Sequence, residues 1–207
     1  WPDSRENFPK QFIPIFDNKS LFDLTIERIK KFKNVLKPIV ITNEKYKFLV
    51  KDNLFKNNID ATIILEPSRK NTAPPIYIVS KILNNNDNLI ILPSDHFIGR
   101  DEIFLNGINN ILKSKEKIRS HWVTFGISPN FPSTSYGYIK LNQNNYKLET
   151  LCEVDKFVEK PILNDAKKYL KSKSFFWNSG IFVGNAKMII HSVKTHAPLL
   201  AKSCDLM

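Results

Sequence analysis

The sequence has 207 residues, 42% of them apolar and 25% charged, enough for one sizeable core and within the composition of ordinary globular domains. No apolar run approaches the roughly eighteen residues that a membrane helix needs, and the two cysteines, Cys152 and Cys204, stand far apart with no spacing suited to a structural zinc. The net charge of +11 is spread over clusters such as Lys113, Lys115 and Lys117 that fall in or at the ends of expected helices, so it reads as solvated helix faces rather than a nucleic-acid surface.

The chain opens with WPDSRENFPKQF, a basic, proline-punctuated loop that precedes any clear strand and shows no secretory signal pattern. A helix is predicted from Ser20 to Phe32, with Ser20 and Asp23 as a capping pair. KPIVITN (37–43), ATIILEP (61–67), NLIILPSDH (88–96) and WVTFGIS (122–128) read as short buried strands that end in turn-forming residues. Between them lie predicted helices from Glu44 to Phe55, Thr72 to Leu83 and Asp101 to Lys113. This βαβα order implies an α/β fold, a Rossmann-like and mainly parallel sheet with helices on both faces. Beyond residue 128 the pattern shifts to more strands: YGYIKL (136–141), VDKFVEKP (154–161) and FFWNSGIFV (175–183), with helices near Asp165 to Leu170 and from Ala186. A second, mixed part built on the same sheet is expected.

Ligands of such sheets bind outside the carboxyl ends of the strands, which directs attention to EPSRKNTAP, PSDH, FVEKP and WNSG. Asp95 in PSDH suits a Mg²⁺ ligand beside substrate phosphates, and equally a turn former or helix cap. Glu66, Arg69, Asn71 and Thr72 run into a helix start where free N–H groups favour anions; Asn71 and Thr72 also serve as plain N-caps. Neighbouring strand residues point to opposite faces, so Glu159 and Lys160 can set a carboxylate on sugar hydroxyls and an ammonium on phosphate, against the alternative of two solvated charges. Trp177, Asn178, Ser179 and Gly180 combine an aromatic wall, an amide and a permissive backbone, as sugar sites do, or are a buried Trp beside a tight turn. Lys10 is a phosphate contact or a solvated lysine, and His96 receives no role. No GxSxG elbow, GxGxxG or GxxxxGK[ST] loop occurs among the six glycines.

In order, WPDSRENFPKQF, EPSRKNTAPPI, LPSDHFI, FGISPNFPSTSYGYIK, FVEKP and FFWNSGIFV resemble the mannose-1-phosphate guanylyltransferases of the sugar-nucleotide pyrophosphorylase superfamily, across almost the whole chain. The resemblance implies GMP transfer from GTP to mannose 1-phosphate with Mg²⁺, giving GDP-mannose and pyrophosphate. It assigns Arg5 and Lys10 to the triphosphate, Glu66, Arg69, Asn71 and Thr72 to the nucleotide, and Asp95 to the metal. Gly137 and Asn178 are assigned to the sugar, Glu159 to its hydroxyls and Lys160 to its phosphate. It further implies an incomplete nucleotidyltransferase domain, residues 1–128 serving the nucleotide and 129–207 the sugar phosphate. A glycine-rich segment with the first strand would precede Trp1, and a second metal-binding Asp would follow Met207. A cytoplasmic protein with reduced thiols is expected, with homo-oligomerisation left open. The alternatives are another sugar-1-phosphate nucleotidyltransferase, or a noncatalytic nucleotide-sugar-binding module.

Overall fold

The computed structural model describes residues 8–67, 71–142, 146–147 and 150–206. The described residues open on a single 3₁₀ turn, Lys10–Phe12, followed by a hairpin of β1 (Pro14–Phe16) and β2 (Lys19–Ser20) that the sequence pattern does not predict. Asp17 and Asn18 make its turn with φ of 47° and 63°, the left-handed region that Asn and Asp visit most readily after Gly. Ser20 then caps α1 (Leu21–Ile29): its Oγ accepts from the Asp23 N–H at 3.1 Å, and the Asp23 carboxylate accepts from the Ser20 N–H at 2.9 Å. The helix buries Phe22 and Ile26 against Phe12, Tyr46, Val50 and Leu54, and stops three residues short of the predicted Phe32.

Parallel pairing is narrower than expected. Among the described residues it is confined to β3 (Ile39–Asn43) with β4 (Thr62–Glu66), joined by a 3₁₀ turn and α2 (Lys47–Lys56). After α3 (Ala73–Ile82), β5 (Asn88–Ile91) bonds antiparallel to the long β9 (Phe175–Asn185). So does β6 (Val123–Ile127), which follows α4 (Asp101–Lys113) and a short α5 (Lys115–Ser120). Thus β5 and β6 run in the same direction, as their alternation with helices implies, but the returning β9 lies between them. The first half of β9 pairs with β7 (Tyr138–Leu141), and β7 pairs with the edge strand β8 (Val154–Val158). This places the later strands on the same sheet, as expected. The chain continues through α6 (Leu163–Lys171), α7 (Ala186–His196) and α8 (Pro198–Asp205).

Two cores flank the second sheet. Ile181 and Val183 of β9 pack with Phe104, Ile108, Ile111 and Ile118 of α4 and α5. Ile76 and Val79 of α3 pack with Leu89, Ala186 and Ile189. Helices are thereby fixed on opposite sides of the strands, and the strand-end loops are left to converge.

Candidate functional site

Phe12 is buried edge-on against Phe22, ring centroids 5.4 Å apart, and this anchors the turn that carries Lys10. The Lys10 ammonium reaches Asp95 Oδ2 at 2.7 Å, so the opening loop and the loop after β5 meet through opposite charges. A cavity of about 640 Å³ lies beside this pair, lined by Lys10, Thr42, Asn43, Glu66 and Ser94 among others. Glu66 closes β4, and its carbonyl accepts from Asn43 Nδ2 at 3.1 Å, which ties together the carboxyl ends of the two parallel strands.

The start of α3 departs from expectation. Thr72 occupies the N-cap position but makes no side-chain capping bond, and Asn71 is left-handed with φ 63°. Pro74 and Pro75 occupy the first turn and have no N–H, so this helix end offers an anion fewer donors than the position alone implies. Glu66, Asn71 and Thr72 still line a common cleft. Arg5 and Arg69 lie outside the described residues.

The residues assigned to the sugar form a row across three strands. Tyr138 pairs with both Trp177 and Val158, which sets Gly137 between Asn178 on β9 and Glu159 just past β8. The Asn178 N–H donates to the Gly137 carbonyl at 2.8 Å. A Cβ built on Gly137 would lie 2.9 Å from Glu159 Oε2 and 3.0 Å from Phe157 Cζ, so the absence of a side chain there lets Glu159 lean over the backbone. The Thr124 hydroxyl lies 2.8 Å from Asn178 Oδ1, orienting the amide, a partnership with no signature in the sequence.

Two expectations about this row are corrected. Glu159 and Lys160 are not strand neighbours facing opposite ways, because β8 ends at Val158 and Lys160 turns left-handed with φ 43°. The turn brings the two side chains together at 3.6 Å, with exposures of 60% and 65%, so both are available on one open face. Nor does Trp177 wall the row. Strand alternation points it away from Asn178, into a cluster with Phe131 and Tyr136 at centroid distances of 4.8 and 5.2 Å, and its buried Nε1 has no hydrogen-bond partner.

Gly180, left-handed with φ 71°, joins the two halves: a Cβ there would meet Pro93 Cγ at 3.7 Å and His96 Cε1 at 3.9 Å. The turn in WNSG therefore abuts the PSDH loop, and Ser179 Oγ holds it by accepting from the Ile181 N–H at 3.1 Å. Burial depresses the pKa of the His96 imidazole; Asp95 opposes this, while Lys10 and Arg28 add to it. A chain of contacts thus runs from Lys10 and Asp95 through Gly180 to Asn178, Gly137 and Glu159. Among the described residues no three His, Cys, Asp or Glu side chains gather as a metal site. The Asp95 carboxylate, partly exposed beside Lys10, fits Mg²⁺ in its usual phosphate-bound mode, in which one or two carboxylates suffice and phosphate oxygens and water complete the shell.

Comparison with known proteins gives a concordant result. A mannose-1-phosphate guanylyltransferase of Escherichia coli is 36% identical over 213 residues, covering 99% of this chain and 45% of that protein. One from Salmonella montevideo is 39% identical, covering 100% and 44%. A solved structure described as mannose-6-phosphate isomerase from Helicobacter pylori superposes with a TM-score of 0.86 at 34% identity, over 97% of this chain and 75% of that one. One described as mannose-1-phosphate geranyltransferase from Thermus thermophilus gives 0.84 at 26% identity, over 100% and 59%. The chain spans less than half the length of the curated relatives it matches. The nucleotidyl transferase family model matches residues 1–207, and the chain belongs to that family.

Proposed function

We propose that this chain carries the nucleotide and sugar-phosphate sites of an enzyme that transfers GMP from GTP to mannose 1-phosphate, forming GDP-mannose and pyrophosphate. The observation that supports this most is the convergence of the Lys10–Asp95 pair with the Asn178–Gly137–Glu159 row through Gly180. The names of the curated relatives supply the substrates.

A phosphate oxygen of mannose 1-phosphate attacks the α-phosphorus of GTP. The bond from that phosphorus to the oxygen bridging to the β-phosphorus breaks, and pyrophosphate leaves with the electron pair. Such transfers depend on alignment and charge neutralisation. Lys10 and Arg5 neutralise the triphosphate. Glu66, at the end of β4, and Asn71 and Thr72, at the start of α3, hold the nucleotide together with Arg69. Asn178 and Glu159 take the sugar hydroxyls, Gly137 keeps the backbone open to the ring, and Lys160 pairs with the sugar phosphate. Asp95 would hold Mg²⁺, which would supply charge neutralisation at the phosphates when bound. Both cysteines are free thiols, which supports a reducing, cytoplasmic compartment.

Pyrophosphate release tests the reading in the longest polypeptide encoded around this chain. Turnover is expected with GTP and mannose 1-phosphate, and much less with ATP, UTP or dTTP at fixed mannose 1-phosphate. Preference for another nucleotide would move the chain to a sister activity, and tight GDP-mannose binding without turnover would make it a binding module.

A further inference from the structure

We propose that Phe157 is a substrate-contacting residue, an aromatic wall for the C–H face of the hexose and a determinant of which sugar phosphates bind. The proposal rests on the reading of the Asn178–Gly137–Glu159 row as the sugar site. Phe157 pairs with Ile139 on β7, and Glu159 follows two residues later, so both rise from the same face of the sheet. Gly137, just before β7, is bare on that face, and ring and carboxylate lean over it together: a Cβ there would lie 3.0 Å from Phe157 Cζ and 2.9 Å from Glu159 Oε2. The strand partner of Phe157, Ile139, is buried, yet Phe157 remains 49% exposed and engages no other ring among the described residues. By contrast, Trp177, the aromatic residue of WNSG, turns to the other face and into its own cluster.

A pyranose presents a rim of hydroxyls and an apolar face of C–H bonds. A site that reads it needs polar groups for the rim and a flat apolar surface for the face. Asn178 and Glu159 provide the first, and Phe157 is the aromatic surface beside them. Because epimers differ in which hydroxyls lie axial, a fixed ring plane beside a fixed carboxylate discriminates among hexoses by shape as well as by hydrogen bonding.

Saturation-transfer NMR on the longest polypeptide encoded around this chain, with α-mannose 1-phosphate as probe and glucose 1-phosphate as comparator, tests this. In the wild type, saturation should be strongest on the protons of one ring face. Phe157→Leu should lose that face selectivity and weaken mannose 1-phosphate binding roughly three- to tenfold, while Phe157→Tyr keeps both and GTP binding is unchanged in either. Unfolding midpoints near the wild-type value check that the leucine variant folds, and Phe157→Gln serves as a second non-aromatic variant. Undiminished mannose 1-phosphate binding in Phe157→Leu, together with loss of binding in Asn178→Ala and Glu159→Gln, overturns the assignment of Phe157 alone. A wild-type chain that does not bind the sugar phosphate, or binds it regardless of Asn178 and Glu159, overturns the sugar-row reading and the Phe157 proposal with it.

Discussion

Lys10 and Asp95 show how much one contact can organise. In their 2.7 Å pair the lysine is exposed and the carboxylate partly so, and pairs open to water contribute only about 0.2–1 kcal/mol, so the lysine can leave the carboxylate when phosphate or a divalent cation arrives. Lys10→Gln should therefore bind Mn²⁺ roughly two- to fivefold more tightly than the wild type in water-proton relaxation measurements, and Asp95→Asn should lose that binding. Equal Mn²⁺ affinity in all three proteins would remove Asp95 from the metal site. Gly137 allows a second test. A methyl group there would meet Glu159 Oε2 and the Phe157 ring, the free ends of two exposed side chains that can swing aside, so Gly137→Ala should bind mannose 1-phosphate more weakly while its midpoint in urea unfolding stays near the wild-type value. Asp95 and Glu66 stand out in the sequence because each follows an apolar run at the end of a strand, and Asn178 because it interrupts the apolar run of β9. Thr124 and Phe157 are not, because their neighbours come from strand register, which spacing along the chain does not disclose.

Where α1 meets α4, the Arg28 Nε donates to Asp101 at 2.8 Å and the Lys31 ammonium reaches its other oxygen at 2.6 Å. The Arg28 side chain is only 3% exposed, so the clasp holds a guanidinium that has little access to water. Burial raises the Asp101 pKa, but the hydrogen bonds from Lys31 and Arg28 outweigh burial and hold it below its ordinary 3.8. The sign follows: below 3.8 the unfolded chain binds a proton that the folded one still refuses. The clasp is thus at full strength above 3.8 and is lost as pH falls through the lower folded-state value. Asp101→Asn should lose about 2–3 kcal/mol near neutral pH, less than for a wholly buried pair because the carboxylate is partly exposed, and its denaturation curves should show a shallower acid limb. The helix that carries Asp101 is readable to the residue as Asp101–Lys113, since its apolar positions recur at helical spacing. The hairpin at Pro14–Ser20 escapes that test. Its strands are too short for a period, and its only cue is the Asp17–Asn18 turn. The short helix Lys115–Ser120 is hidden for a related reason: its one buried residue is Ile118, and a single anchor makes no pattern.

The β3–β4 pair and the five-stranded sheet border a cleft of about 620 Å³, and among the described residues β3 bonds only to β4 while β5 bonds only to β9. Ile39 and Ile41 line one side, Leu89 and Ile91 the other, with Val79 and Leu83 of the α3 region also lining it. Unpaired backbone edges above an apolar floor describe a place for one more strand. The doubly wound order 3-2-1-4 leaves one position between its second and fourth strands, and here that position falls between β3 and β5, which is why the connection through α3 must pass over it. A strand supplied from outside the described residues would suit this opening. Alternation of helix and strand makes the class of the fold readable in these residues, but no local pattern reveals that a sheet is divided, since each strand's own sequence is satisfied. In the longest polypeptide encoded around this chain, backbone amides of Ile39–Asn43 and Asn88–Ile91 should exchange with deuterium at least tenfold more slowly than in the 207-residue chain, a slowing of about 1.4 kcal/mol in local opening. The melting temperature should rise with them, whereas Lys47–Lys56, remote from the opening, should change only with global stability. Equal exchange at both edges in the two proteins would mean that no strand enters the cleft.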